Sequence, residues 1–280
     1  MKQRLISAVV GLAILAVVLL LFDTIALNIV VAAIGLLAVW ELLHATGCTK
    51  FRLLTLLSMG MAAVIPFLNP QTVLGFFPFF CYGFVLALFG ILIRQHEQLH
   101  VEKVAMAFMI SLIVPFSVYV LVYIRDHFNG GTQGLFYIVV ALGAAWFTDS
   151  GAYFIGRAFG RHKMAPKVSP NKTVEGAVGG VAVCIVCLLL VGFGYGHLSA
   201  WMGQPVQIHY GNILLGAPVA ALAGILGDLS ASVIKRQYGV KDYGHIMPGH
   251  GGIMDRFDSV LFVLPMMLIL IHFLPFATIL

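Results

Sequence analysis

Apolar runs long enough to cross a lipid bilayer follow one another along almost the whole of this 280-residue chain. A hydrocarbon layer of ~30 Å takes about 20 helical residues to span. Runs at roughly 5–22, 24–47, 53–69, 72–93, 104–124, 134–156, 174–197, 211–233 and 252–274 approach or exceed that length. Within lipid each backbone N–H and C=O must pair inside its own segment, so these runs are read as helices. The expected fold class is all-α: a polytopic helical membrane protein with about nine transmembrane helices. With 61% hydrophobic and 10% charged residues and a mean hydropathy of +1.02, the chain has too few polar side chains to cover a water-facing surface. The first run follows Lys2 and Arg4 as a signal peptide would. Its length and its lack of a small-residue cleavage site mark it instead as a retained helix.

The connectors give an independent check. Assigned alternately with the N-terminus cytoplasmic, the inside set holds all 16 Lys and Arg except Arg125. That is the bias expected of cytoplasmic loops. The net charge of +5 therefore reads as topology and contact with anionic lipid, not as nucleic-acid binding. Cys184 and Cys187 form a CxxC inside an apolar run with no second ligand pair nearby, and are read as buried packing.

Polar chemistry is confined to the second half. Residues 1–133 read as N-terminal transmembrane scaffold, and 134–280 as a C-terminal catalytic region with cytoplasmic loops at 157–173 and 234–251. In the first half, Glu41 follows Trp40 and reads as an interfacial carboxylate near His44 or Lys50; a place in a polar pocket is the other reading. From Gly227 to Asp258 the chain carries four of its 11 carboxylates between two strongly apolar segments. A helix there places Asp228, Ser232 and Lys235 on one stripe, at i, i+4 and i+7. Beyond the loop, Asp255 and Asp258 lie about one turn apart beside Arg256. A second constellation runs from Asp149 through a basic loop to Ser169-Pro170-Asn171-Lys172-Thr173, with Glu175 opening the next helix as part of a cap.

Acids and bases at bilayer depth are costly and mostly mark ion or substrate sites. Carboxylates near helix ends suit a hard divalent cation such as Mg2+, which binds through one or two carboxylates plus substrate phosphates. Asp228, Asp255 and Asp258 are the candidate metal ligands. Lys172, Lys235, Arg236, Lys241 and Arg256 are the candidates to neutralise polyphosphate. Gly251-Gly252 at a helix start offers backbone N–H groups to a phosphate. Such a set serves phosphoryl or nucleotidyl transfer, which rests on positioning and charge stabilisation. The sequence contains no P-loop and no Rossmann fingerprint, and lacks a Cys/His set for zinc.

The stretch Ser232–Asp258, S-V-I-K-R-x4-K-D-x-G-x4-G-H-G-G-I-x-D-R-x-D, closely resembles the signature of the phosphatidate cytidylyltransferases, or CDP-diacylglycerol synthases. The Ser169–Gly176 loop and Asp149-Ser-Gly-Ala-Tyr resemble that family's other recurring segments. Met247 replaces a more usual Leu, Ile or Phe. The resemblance covers about the last 130 residues of the sequence. It implies transfer of a cytidylyl group from CTP to phosphatidate, giving CDP-diacylglycerol and pyrophosphate, with Mg2+. It further implies a homodimer in a bacterial inner membrane with the site open to the cytoplasm. In the roles it suggests, Asp228 and Asp255 hold the metal, and Asp258 is either a third ligand or the partner of Arg256. Lys235 and Arg236 join them in catalysis, and Ser169, Lys172 and Thr173 close over a phosphate. Glu175, Ser232, Lys241, Asp242, Gly251 and Gly252 fall in the substrate-binding segments. His250 either positions a phosphate or makes a structural hydrogen bond. Asp149 either lines the polar cavity or orients a base. The alternatives are a CTP-dependent enzyme for another lipid phosphate and, in a different class, an ion-coupled transporter.

Overall fold

The computed structural model describes residues 11, 13–128, 131–246 and 251–279. Lys2, Arg4, Met247 and His250 therefore lie outside the described residues. Nine helices are described: α1 (Ile25–Ala45), α2 (Arg52–Val64), α3 (Pro70–Arg94), α4 (Val101–His127), α5 (Thr132–Phe159), α6 (Val174–Trp201), α7 (Tyr210–Gln237), α8 (Met254–Phe257) and α9 (Val260–Phe273). Residues 13–20, in the first expected span, are also helical. Among the described residues six helices are long and apolar enough to cross a membrane, the last running through Met254–Phe273, with shorter apolar helices at Arg52–Phe67 and Pro78–Arg94. This is a helical membrane protein.

Two short antiparallel ribbons are added where connectors were expected. β1 (Lys163–Ala165) pairs with β2 (Ser169–Thr173), and β3 (Val206–Ile208) pairs with β4 (Ala277–Ile279). The helix expected from 252 is broken at its start. Asp258 and Ser259 occupy a turn between α8 and α9, so Asp255 and Asp258 do not share one continuous helix.

The chain forms two compact units: one of residues up to Tyr123 with Tyr238–Asp255, the other of Ile124–Gln237 with Arg256 onward. The division expected at 133/134 is corrected by this. Residues 238–255, assigned to the C-terminal region, fold with the N-terminal helices. Polar contacts account for it. The Lys103 ammonium lies 5.0 Å from the Tyr238 ring centroid, and Glu41 on α1 accepts from the amides of Ile253 and Met254.

In the second unit α5 and α6 meet along small residues. A Cβ added at Gly180 would sit 2.7 Å from the Thr148 carbonyl oxygen, and one at Gly176 2.8 Å from that of Ala152. Side chains larger than hydrogen would force the helices apart. The opposite face of α6 leaves Val178, Val186, Leu190 and Phe193 exposed, while Cys184 and Leu188 are buried. That pattern suits one face against protein and the other against lipid tails. All four cysteines are free and Cys184 is fully buried, as the packing reading expected.

The far end of this unit is tied by hydrogen bonds. Tyr195 donates to the Thr132 carbonyl at 2.6 Å, and Gln133 and Tyr137 donate to that of Ala277 at 2.6 and 3.0 Å. Gly180→Leu is expected to destabilise the protein by about 1–3 kcal/mol through overpacking. Thermal unfolding in detergent measures it, and an unchanged midpoint would show that the seam is not close-packed.

Candidate active site

In the second unit the helices alternate in direction, so the C-terminal ends of α5 and α7 and the N-terminal ends of α6 and α9 share one end. The polar residues gather there. Thr173 caps α6, its hydroxyl accepting from the Gly176 amide at 3.1 Å, as the sequence suggested. Its neighbour Lys172 forms an ion pair with Asp228 of α7. Asp149, one turn before Tyr153 on α5, accepts from the Ser259 hydroxyl at 2.7 Å. Asp258 is 8% exposed and its carboxyl accepts from the Ser259 amide at 2.9 Å.

Gly227 makes this convergence possible, because a Cβ there would fall 2.6 Å from the Asp258 carbonyl oxygen. Asp149, Asp228 and Asp258 lie within electrostatic reach of one another, and Lys172, Lys235 and Arg256 lie near them. Of these, Asp149, Lys172 and Asp228 line a cavity of about 570 Å³, together with Tyr153, Arg157, Lys163, Asn171 and Thr173. That volume is in the ~300–1,000 Å³ range of small-molecule sites.

Other expected residues have different work. Glu175 is engaged within its own loop. Its carboxyl accepts from the amides of Arg161 and His162 at 3.0 and 3.1 Å and shapes the loop beside the cavity. Arg236 donates to the Val168 carbonyl at 3.1 Å, holding the β1–β2 ribbon against the end of α7. Ser232 is buried on α7, on the stripe shared with Asp228. Ser169 opens β2 and is half-buried. Arg157, Lys163 and Asn171, which the sequence placed in this constellation without a role, line the cavity. Their signal was their place in the same basic loop.

The remaining motif residues belong to the first unit. Lys241 and Asp242 are exposed on the loop after Gly239. One oxygen of Asp255 accepts from the Tyr243 and Gly252 amides at 2.9 and 3.0 Å. Ile253 and Met254 donate to the two oxygens of Glu41 at 3.0 and 2.8 Å. The expectation that amides at this helix start are free for a phosphate is therefore corrected: those of Gly252, Ile253 and Met254 are engaged by carboxyl groups. Gly251 has φ +85°, a left-handed turn that suits glycine. The reading of Glu41 as interfacial is corrected too, since it is fully buried. Burial, then the nearby Cys48 thiol, pushes the Tyr238 phenol up, so the ring beneath Lys103 stays neutral.

No group of three or more His, Cys, Asp or Glu among the described residues is placed to hold one metal ion. Mg2+ does not need three, since waters and phosphate oxygens complete its shell. The cluster of Asp149, Asp228 and Asp258 fits a cation by charge.

The fold and this end of the second unit define an integral membrane protein with an acid- and cation-lined pocket among its helix ends. A profile of the Cytidylyltransferase family matches residues 2–274, and the chain belongs to that family. It is 35% identical, over 97% of each chain, to a phosphatidate cytidylyltransferase of Bacillus subtilis. Proteins of that name from Staphylococcus saprophyticus and Staphylococcus epidermidis are 46% and 47% identical, each over 50% of both chains.

Gly227→Ala is expected to displace Asp228 from Asp258 and lower cytidylyl transfer by about 10²-fold, the scale of an ångström-level misplacement. Gly211→Ala, which meets nothing within 4 Å, serves as the control in the same turnover assay.

Proposed function

We propose that this protein transfers the cytidylyl group of CTP to phosphatidate, releasing pyrophosphate and leaving CDP-diacylglycerol in the membrane. The observation that carries the reading is the cavity where Lys172 pairs with Asp228 beside Asp149 and Asp258, in a chain of the Cytidylyltransferase family. Both substrates bring phosphate, and the cavity and its rim bring cations: Arg157, Lys163 and Lys172 on the lining, with Lys235 and Arg256 close to the acids.

The lipid phosphate is already ionised, so its oxygen attacks the α-phosphorus of CTP without a strong general base. The bond from the α-phosphorus to the bridging oxygen breaks, and pyrophosphate leaves with the electron pair. Asp228 and Asp258 would hold Mg2+, and Asp255 is by itself a candidate metal ligand. The ion would supply charge stabilisation for the triphosphate and its leaving group. Lys172 holds Asp228 in place until a phosphate competes for its ammonium. Thr173 and Asn171 bound the pocket, and Ser259 fixes the orientation of Asp149. Ser232 and Lys235 extend the Asp228 stripe along α7. Lys241, Asp242 and Gly251 stand on the motif loop as candidate substrate contacts.

We place the protein in a bacterial inner membrane with about nine spans, its N-terminus and active site on the cytoplasmic side, and working as a homodimer. Single cysteines at Lys163, on this side, and at the exposed Gln204, on the other, in a background freed of native cysteines, test the topology. An impermeant maleimide added to intact cells should label only the second.

Detergent-purified protein given CTP, phosphatidate and Mg2+ should release pyrophosphate only when all three are present. Asp255→Asn and Lys172→Ala should each lower the rate by about 10²-fold or more, as loss of charge stabilisation at transferring phosphates does. Full turnover in Asp255→Asn would remove that residue from the ligand set. No turnover by folded wild-type protein with any lipid phosphate would sink the enzyme reading and favour a transporter.

A further inference from the structure

The first unit contains a carboxyl group that nothing in the reaction outlined above uses. Glu41 lies one turn from the end of α1, in the otherwise apolar N-terminal part of the chain, and has no exposed surface. Both its oxygens are engaged, Oε1 with the Ile253 amide at 3.0 Å and Oε2 with the Met254 amide at 2.8 Å. Two glycines are shaped around it. A Cβ added at Gly244 or at Gly252 would overlap the carboxyl group. Asp255 closes the same loop from within, bridging the Tyr243 and Gly252 amides.

We infer that Glu41 is a positioning residue for the transfer reaction, fixing the motif segment Gly252–Asp255 by gripping its main chain. This rests on the function proposed above. The distance in sequence between the partners is the argument for a specific role. A helix start can be capped by a neighbouring Ser, Thr or Asp at little cost. Here the acceptor comes from more than 200 residues away, and it is a carboxyl group that must be taken out of water to serve. Burial of that kind is tolerated where the group is fully hydrogen-bonded. The bidentate grip holds two successive amides, and so sets both the position and the tilt of the backbone that presents Asp255. Asp255 needs its Oδ2 placed by Tyr243 and Gly252, and Gly252 can approach only because it lacks a side chain facing Glu41.

The test uses the full chain in detergent, with pyrophosphate release as the assay and wild-type turnover as the check on the underlying reading. Glu41→Gln keeps one acceptor oxygen and Glu41→Ala keeps none. The expected result is a graded fall in kcat, about tenfold for Gln and about a hundredfold for Ala, on the scale of a misplaced catalytic group. The KM for CTP should move much less. Hydrogen exchange should speed up at 252–255 and not along α5 to α7.

Gly252→Ala should reproduce the fall in wild type yet add little in the Glu41→Ala background, because the clash is with Glu41 itself. That coupling separates positioning from general destabilisation and decides the matter if Glu41→Ala folds poorly. Full kcat in Glu41→Gln and Glu41→Ala would overturn the inference. So would a loss that only tracks the folded fraction, or independent effects of the two substitutions. Absence of wild-type turnover would instead fail the function reading.

Discussion

A polar group inside a membrane protein must find its partner within the protein, and the arrangement of the described helices follows from that constraint. Each acid among the helices, buried or half-buried, has donors close by. Glu41 takes two backbone amides, Asp149 takes the Ser259 hydroxyl, and Asp258 takes the Ser259 amide. Asp228 pairs with Lys172. The contacts of Glu41, Asp149 and Asp228 link segments far apart in sequence, so these acids act as tie points among helices whose apolar faces would otherwise slide freely in lipid.

Close approach of backbones is the second condition. Lipid tails are as apolar as leucine, so helices are not driven together by hydrophobicity and must interlock instead. The glycines of α5 and α6 allow this, and Gly227 does the same where α7 meets the turn at Asp258. The polar site is thus assembled by residues with no chemistry of their own. The same logic explains why substitutions at such glycines act on the reaction through geometry.

The helical membrane class was readable from hydropathy alone, because run length and charge placement are both set by the bilayer. The motif residues of the second unit were readable as well: Asp149, Lys172, Thr173 and Asp228 do gather at one cavity. Three things were not. The ribbon of β1 and β2 was hidden because three- and five-residue strands leave no periodicity. The break at Asp258 is a two-residue turn, too short to interrupt the helical spacing of the run at 252–274. The role of Glu41 was hidden because its partners are main-chain amides, which carry no sequence signal, far along the chain. Likewise the brace that Glu175 sets against the Arg161 and His162 amides left no trace in the sequence, because its partners are main-chain groups.

Helix α9 carries Pro265, which cannot donate the usual backbone bond and would ordinarily act as a hinge. Yet the helix is moored to α5 at both extremities, through Ser259 and Asp149 at one and through Ala277, Gln133 and Tyr137 at the other. It is a beam clamped at each end with a soft point in the middle. Such a beam can bow but cannot swing, so the flexibility at the proline is converted into breathing of the midsection while Asp258 keeps its register.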